Sequence, residues 1–142
     1  MEVIEATKDC HYTGHCHCGA VHFAFTGPVR PIVICHCDDC LRISGYSWAA
    51  TAVPRAQFQF ITGEDAVSWY RSSETAARGF CKTCHAHLFF HLDGRDAISV
   101  APGMMDNWDG IYCSGHIYRD NMPTCCAALD GLSDLDNWSP AD

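Results

Sequence analysis

Seven of the eleven cysteines in this 142-residue chain fall into three short groups: Cys16 and Cys18; Cys35, Cys37 and Cys40; Cys81 and Cys84. Thiols at such spacings are metal ligands, because one tight turn or one extended C-x-C aims two sulfurs at a single ion. Cys16, Cys18, Cys81 and Cys84 offer two pairs from distant segments, enough to close a tetrahedral structural zinc site. Cys35, Cys37 and Cys40 offer three ligands and leave one position open, and an open position is where a substrate can enter.

The charge of that second site selects its chemistry. Zinc with three thiolates is formally −1, which lowers its Lewis acidity and disfavours activation of water. A soft, thiolate-rich ion suits a further thiolate, held deprotonated near neutral pH and presented as a nucleophile. Thiol chemistry is therefore expected over hydrolysis. The competing expectation is a second structural site completed by His36, His87, His116 or Asp38. His15, His17, His22, His85, His87 and His91 lie on segments beside the clusters, and none is assigned a catalytic role. Arg42, two residues after Cys40, is the best-placed cation for an acidic substrate, with a solvated surface arginine as the plain alternative.

The elements that must hold these groups are short strands. Val21, Phe23 and Phe25 alternate with His22, Ala24 and Thr26, the pattern of a half-buried strand closed by Gly27-Pro28. Pro31 to Ile34 is an apolar run into Cys35, and Tyr46 to Val53 is another, stopped by Pro54. Further strands are expected at Phe58 and Phe60, at Val67 and Trp69 beyond the turn at Gly63, and over Arg78 to Cys81. Leu88 to Leu92, Ile98 to Val100 and Ile111 to Tyr118 complete the series. Strands this short, punctuated by Gly and Pro, predict a mainly β domain. Helical turns are expected only at Asp38 to Ser44 and near Cys125 to Leu129. Cys16 and Cys18 are placed on one face at the start of the first hairpin.

Composition narrows the setting. Hydrophobic residues make up 48% of one domain-sized chain, and no apolar run approaches a membrane span. Met1 to Cys10 is polar and lacks a secretory signal's apolar segment, so a cytoplasmic location and reduced thiols are expected. Cys10, Cys113, Cys125 and Cys126 are read as free thiols. The net charge of −8 would fall to about −11 with seven thiolates and two zinc ions, which disfavours nucleic acid as a partner.

The sequence around the clusters resembles the glutathione-dependent formaldehyde-activating enzyme family. The likeness is carried by G-H-C-H-C-G at Gly14 to Gly19, I-C-H-C-D-D-C-L-R at Ile34 to Arg42, and G-F-C-K-T-C at Gly79 to Cys84. H-I-Y at His116 to Tyr118 and D-G-L at Asp130 to Leu132 extend it. The resemblance implies a zinc-bearing β-tent of packed antiparallel sheets over residues 11–132, followed by an acidic tail over 133–142. It implies two zinc ions per chain, a structural one on Cys16, Cys18, Cys81 and Cys84 and a second on Cys35, Cys37 and Cys40 near bound glutathione. The implied activity is a carbon–sulfur lyase run in the synthetic direction, joining formaldehyde or a similar small aldehyde to glutathione or another thiol. A zinc-stabilised binding module, or a glutathione carrier without turnover, is the alternative. His85 stands where the family often has glycine, Cys125 near a common tryptophan and Ser133 at a usual proline, departures that bear on the knuckle turn and on the C-terminal wall of the pocket.

Overall fold

The computed structural model describes residues 1–126, so the expected tail and the D-G-L motif lie outside the described residues. The strands are β1 (His11–His15), β2 (His22–Thr26), β3 (Arg30–Cys35), β4 (Trp48–Pro54), β5 (Phe58–Thr62), β6 (Val67–Arg71), β7 (Ala76–Cys81), β8 (His87–Leu92), β9 (Ala97–Val100) and β10 (Cys113–Ile117). One α-helix, α1 (Asp38–Ser44), sits between β3 and β4, and short 3-10 turns fill other connections. The mainly β architecture expected from sequence is what the chain adopts. No helix among the described residues is long and apolar enough to cross a membrane.

Two sheets face each other. The smaller has the order β1-β2-β5 and the larger β10-β3-β4-β9-β8-β7-β6. Alternation along β2 turns Phe23 and Phe25 inward. Phe23, Phe58 and Phe60 meet Phe89 of the larger sheet edge-to-face, at centroid separations of 5.3, 5.5 and 5.6 Å. The fully buried rings of Phe23 and Phe89 each contribute about 1.5–3 kcal/mol by leaving water, and the edge-to-face pairs add to that. The next residue, Phe90, must then point to the opposite face. Across the ladder it stands beside Arg78 on β7 and Ser99 on β9, so a second, polar-lined face is built from the same strands.

Three features depart from the sequence expectation. β10 pairs parallel to β3, whereas every other ladder is antiparallel. The pairing brings Ile117 beside Cys35, and it arises from a long return connection that no local pattern encodes. Cys16 and Cys18 lie in the turn between β1 and β2 rather than at the start of the hairpin. Gly63 does not make a β5–β6 hairpin but sends the chain from one sheet to the other. Its φ is +77°, and a Cβ there would sit 1.9 Å from the Ala20 carbonyl oxygen, so only glycine fits.

Candidate metal and thiol site

Cys16, Cys18, Cys81 and Cys84 converge, with all four sulfurs within 4.8 Å of one another. Cys16 and Cys18 come from the β1–β2 turn; Cys81 ends β7, and Cys84 lies in the turn that follows. The Sγ atoms of Cys16 and Cys18 are 3.6 Å apart, and those of Cys18 and Cys81 3.7 Å. Four sulfurs about 2.3 Å from one tetrahedral zinc ion would be about 3.8 Å apart, so the group fits that metal. Backbone N–H groups of Thr83 and Cys84 donate to the Cys81 sulfur at 3.4 and 3.5 Å, and that of Val21 to Cys16 at 3.4 Å. Such bonds support thiolate rather than thiol. Burial opposes ionisation of Cys84, yet the Ala86 and Cys18 backbone N–H groups draw it down to about 6. At Cys18 the Ala20 N–H acts in the same sense, but burial and the neighbouring thiols prevail and push it up to about 11. Four adjacent thiols cannot all ionise without a cation among them.

His85 closes this knuckle in the left-handed region, at φ 62°. Its N–H donates to the Cys81 carbonyl at 2.9 Å. The turn is therefore the one glycine would make, adopted by a residue with a side chain.

Cys35, Cys37 and Cys40 form the second group, again within 4.8 Å of one another. β3 carries Cys35 between Trp48 of β4 and Ile117 of β10. Cys37 caps α1, its sulfur accepting from the Cys40 N–H at 3.4 Å, and the helix returns Cys40 to the same group. Among the described residues no histidine or carboxylate joins the group. His36 turns away: it is fully buried, and its Nε2 lies 2.8 Å from Nδ1 of His116. The ring of His87 stacks on Trp48 and on Phe80 instead, and Asp38 is exposed at the head of α1. Three soft donors with a free position fit a zinc ion that keeps one coordination site open.

The site opens on a cavity of about 630 Å³ on the outer face of the larger sheet. Trp48, Phe90 and Arg78 form its floor, Asp38 and Asp39 stand at its rim, and Arg30 and Arg95 also line it. Arg42 is exposed and outside this lining. Arg78, absent from the sequence expectations, is 3% exposed and donates from Nη2 to the Cys40 sulfur at 3.5 Å. Its guanidinium lies 5.9 Å from the Trp48 ring centre and 5.3 Å from that of Phe90. Among the described residues it makes no carboxylate pair, and its Nε and Nη1 have no partner. A buried cation left without an anion costs several kcal/mol, so the Cys40 sulfur is best satisfied as a thiolate here. Burial nonetheless pushes the Cys40 thiol up to about 12 against the pull of Arg78, and raises Cys35 as well. Burial acts on Cys37 in the same sense but is outweighed by the Cys40 N–H and the neighbouring sulfurs, so Cys37 falls below its ordinary value. A divalent ion would settle all three as thiolates. The signal for Arg78 was present in the sequence: a charged residue inside the otherwise small and apolar strand A-A-R-G-F-C.

A β-sandwich-like pair of sheets, one four-sulfur group and one three-sulfur group facing a cavity define a class of β proteins whose cysteine groups could hold metal. The chain belongs to the glutathione-dependent formaldehyde-activating enzyme family, whose model matches residues 11–121. It is 27% identical over 118 residues to an uncharacterized lyase of Schizosaccharomyces pombe, covering 80% of this chain and 82% of the relative. A crystal structure of a Rhodobacter sphaeroides protein superposes with a TM-score of 0.58 at 20% identity, covering 74% of this chain and 99% of the other, a likeness of fold.

Proposed function

We propose that the protein is a carbon–sulfur lyase acting in the synthetic direction, which joins formaldehyde or a similar small aldehyde to glutathione or another thiol. The observation that carries this reading is the three-sulfur group of Cys35, Cys37 and Cys40 at the wall of the cavity, with no fourth side-chain ligand among the described residues. Membership of the family and the lyase-named relative support the reaction class. Cys35, Cys37 and Cys40 would hold a zinc ion, which when bound would supply a soft acceptor that keeps a substrate thiol ionised near neutral pH. Trp48 and Phe90 give the thiol's stem an apolar floor. Arg30, Arg78 and Arg95 give an acidic thiol the positive surroundings that a chain of net charge −8 otherwise lacks. Cys16, Cys18, Cys81 and Cys84 would hold a second, structural zinc.

The test is formation of the S-hydroxymethyl adduct from glutathione and formaldehyde, followed by proton exchange NMR with the zinc-loaded protein. Exchange faster than the spontaneous reaction is expected, with glutathione half-saturating between about 1 μM and 1 mM, and Cys37→Ser is expected to lose the acceleration. Glutathione binding without acceleration would identify a carrier and reject the lyase reading. No binding by fully zinc-loaded protein would reject both.

A further inference from the structure

Arg78 has a role that its burial and contacts define and that the cysteines alone do not provide. Three thiolates on a divalent ion leave the centre at −1, so a fourth anion must approach a site already of its own sign. The side chain is 3% exposed, its Nη2 is 3.5 Å from the Cys40 sulfur, and its guanidinium carbon lies over the rings of Trp48 and Phe90. No carboxylate among the described residues neutralises it. The other cations of the cavity, Arg30 and Arg95, have no bond to a cluster sulfur, while Asp38 and Asp39 at the rim act against anion entry.

We propose that Arg78 is the positioning residue that lets the Cys35–Cys37–Cys40 centre accept a thiolate at its open position. The inference rests on reading this group as an open metal centre for thiols. With Arg78 in contact, the centre and its guanidinium together are neutral, and an entering thiolate takes the assembly to −1 rather than −2. On such a centre the thiol's proton would leave to solvent and the sulfur lone pair would be held by the ion that Cys35, Cys37 and Cys40 would bind. The same contact withdraws charge from the Cys40 sulfur, which makes that sulfur a weaker nucleophile than it would be without the guanidinium. Selectivity for an anionic sulfur over a neutral ligand follows.

The protein loaded with cobalt(II) tests this, since the ion's visible and near-ultraviolet bands report each fourth ligand. Glutathione and imidazole are titrated separately as the anionic and the neutral probe. Arg78→Gln is expected to weaken glutathione binding by about tenfold or more while leaving the imidazole affinity and the cobalt content unchanged. Arg78→Lys, which keeps the charge, is expected to bind glutathione within about threefold of the parent. Equal glutathione affinity in parent and Arg78→Gln would overturn the proposal, and so would parallel loss of both ligands. If Arg78→Gln does not fold, Arg78→Lys decides: a tenfold loss of glutathione with imidazole unchanged refutes the charge argument. A parent protein that shows no spectral change with any thiol rejects the proposed function itself, a separate outcome.

Discussion

At the scale of single residues, the cysteines were legible because their chemistry depends on spacing over two or three positions, and backbone geometry fixes that spacing locally. Arg78 stood out only as a charge within an apolar strand; its role was not legible, because that role depends on an encounter with Cys40 across 38 positions of sequence. Arg42, near Cys40 in sequence, points elsewhere for the same reason: on a helix, two residues onward is a different face. His85 shows a local rule operating against its own residue. The knuckle needs a left-handed turn, and a side chain in that region costs about 1–2 kcal/mol. His85→Gly is therefore expected to raise the unfolding free energy of the metal-loaded protein by about 1 kcal/mol, reduced somewhat by the looser unfolded chain. Urea denaturation measures it. An unchanged or lower midpoint would show that contacts of the imidazole ring offset the turn.

Among the elements, α1 occupies the span its pattern announced, since a cap at Cys37 and Gly45 at its end are both local signals. The parallel ladder of β10 on β3 was illegible, because strand partners are chosen by tertiary packing and not by the strand's own alternation. β8 carries a second consequence of packing. The His87 ring lies between Trp48 at 4.3 Å and Phe80 at 4.5 Å, with Nδ1 3.1 Å from the Ser44 hydroxyl and Nε2 buried without a partner. Burial, reinforced by the Arg78 charge, draws its pKa down to about 4 from 6.5. The unfolded chain then binds the proton first, so this histidine's effect on stability is flat above pH 6.5 and turns unfavourable as pH falls from 6.5 to 4. His87→Phe keeps the stack and removes the titration. Between pH 7 and pH 5 the parent should lose about 2 kcal/mol more than the variant in parallel urea unfolding. Equal losses would sink the assignment.

At the scale of the whole molecule, the two cysteine groups should behave as different kinds of part. Cys16 and Cys81 are fully buried and join the small sheet to the end of β7, whereas Cys35, Cys37 and Cys40 lie at a cavity wall. Metal analysis of the native protein is expected to find two zinc ions per chain. Cys81→Ser should unfold the domain, because a structural zinc contributes about 10 kcal/mol or more, comparable with the whole stability of a small domain. Cys37→Ser should remain folded and retain one zinc, checked by circular dichroism alongside metal content. Collapse of both variants would make both sites structural. The junction of Cys18 with Cys81 also has a meaning in time, because 63 positions separate them in sequence. During synthesis the chain emerges from its N-terminus. The first hairpin leaves the ribosome with two of the four clustered sulfurs and waits for β5 to complete its sheet and for Cys81 and Cys84 to complete the group. With zinc on these four sulfurs, maturation would be tied to the supply of metal at the moment those later residues appear.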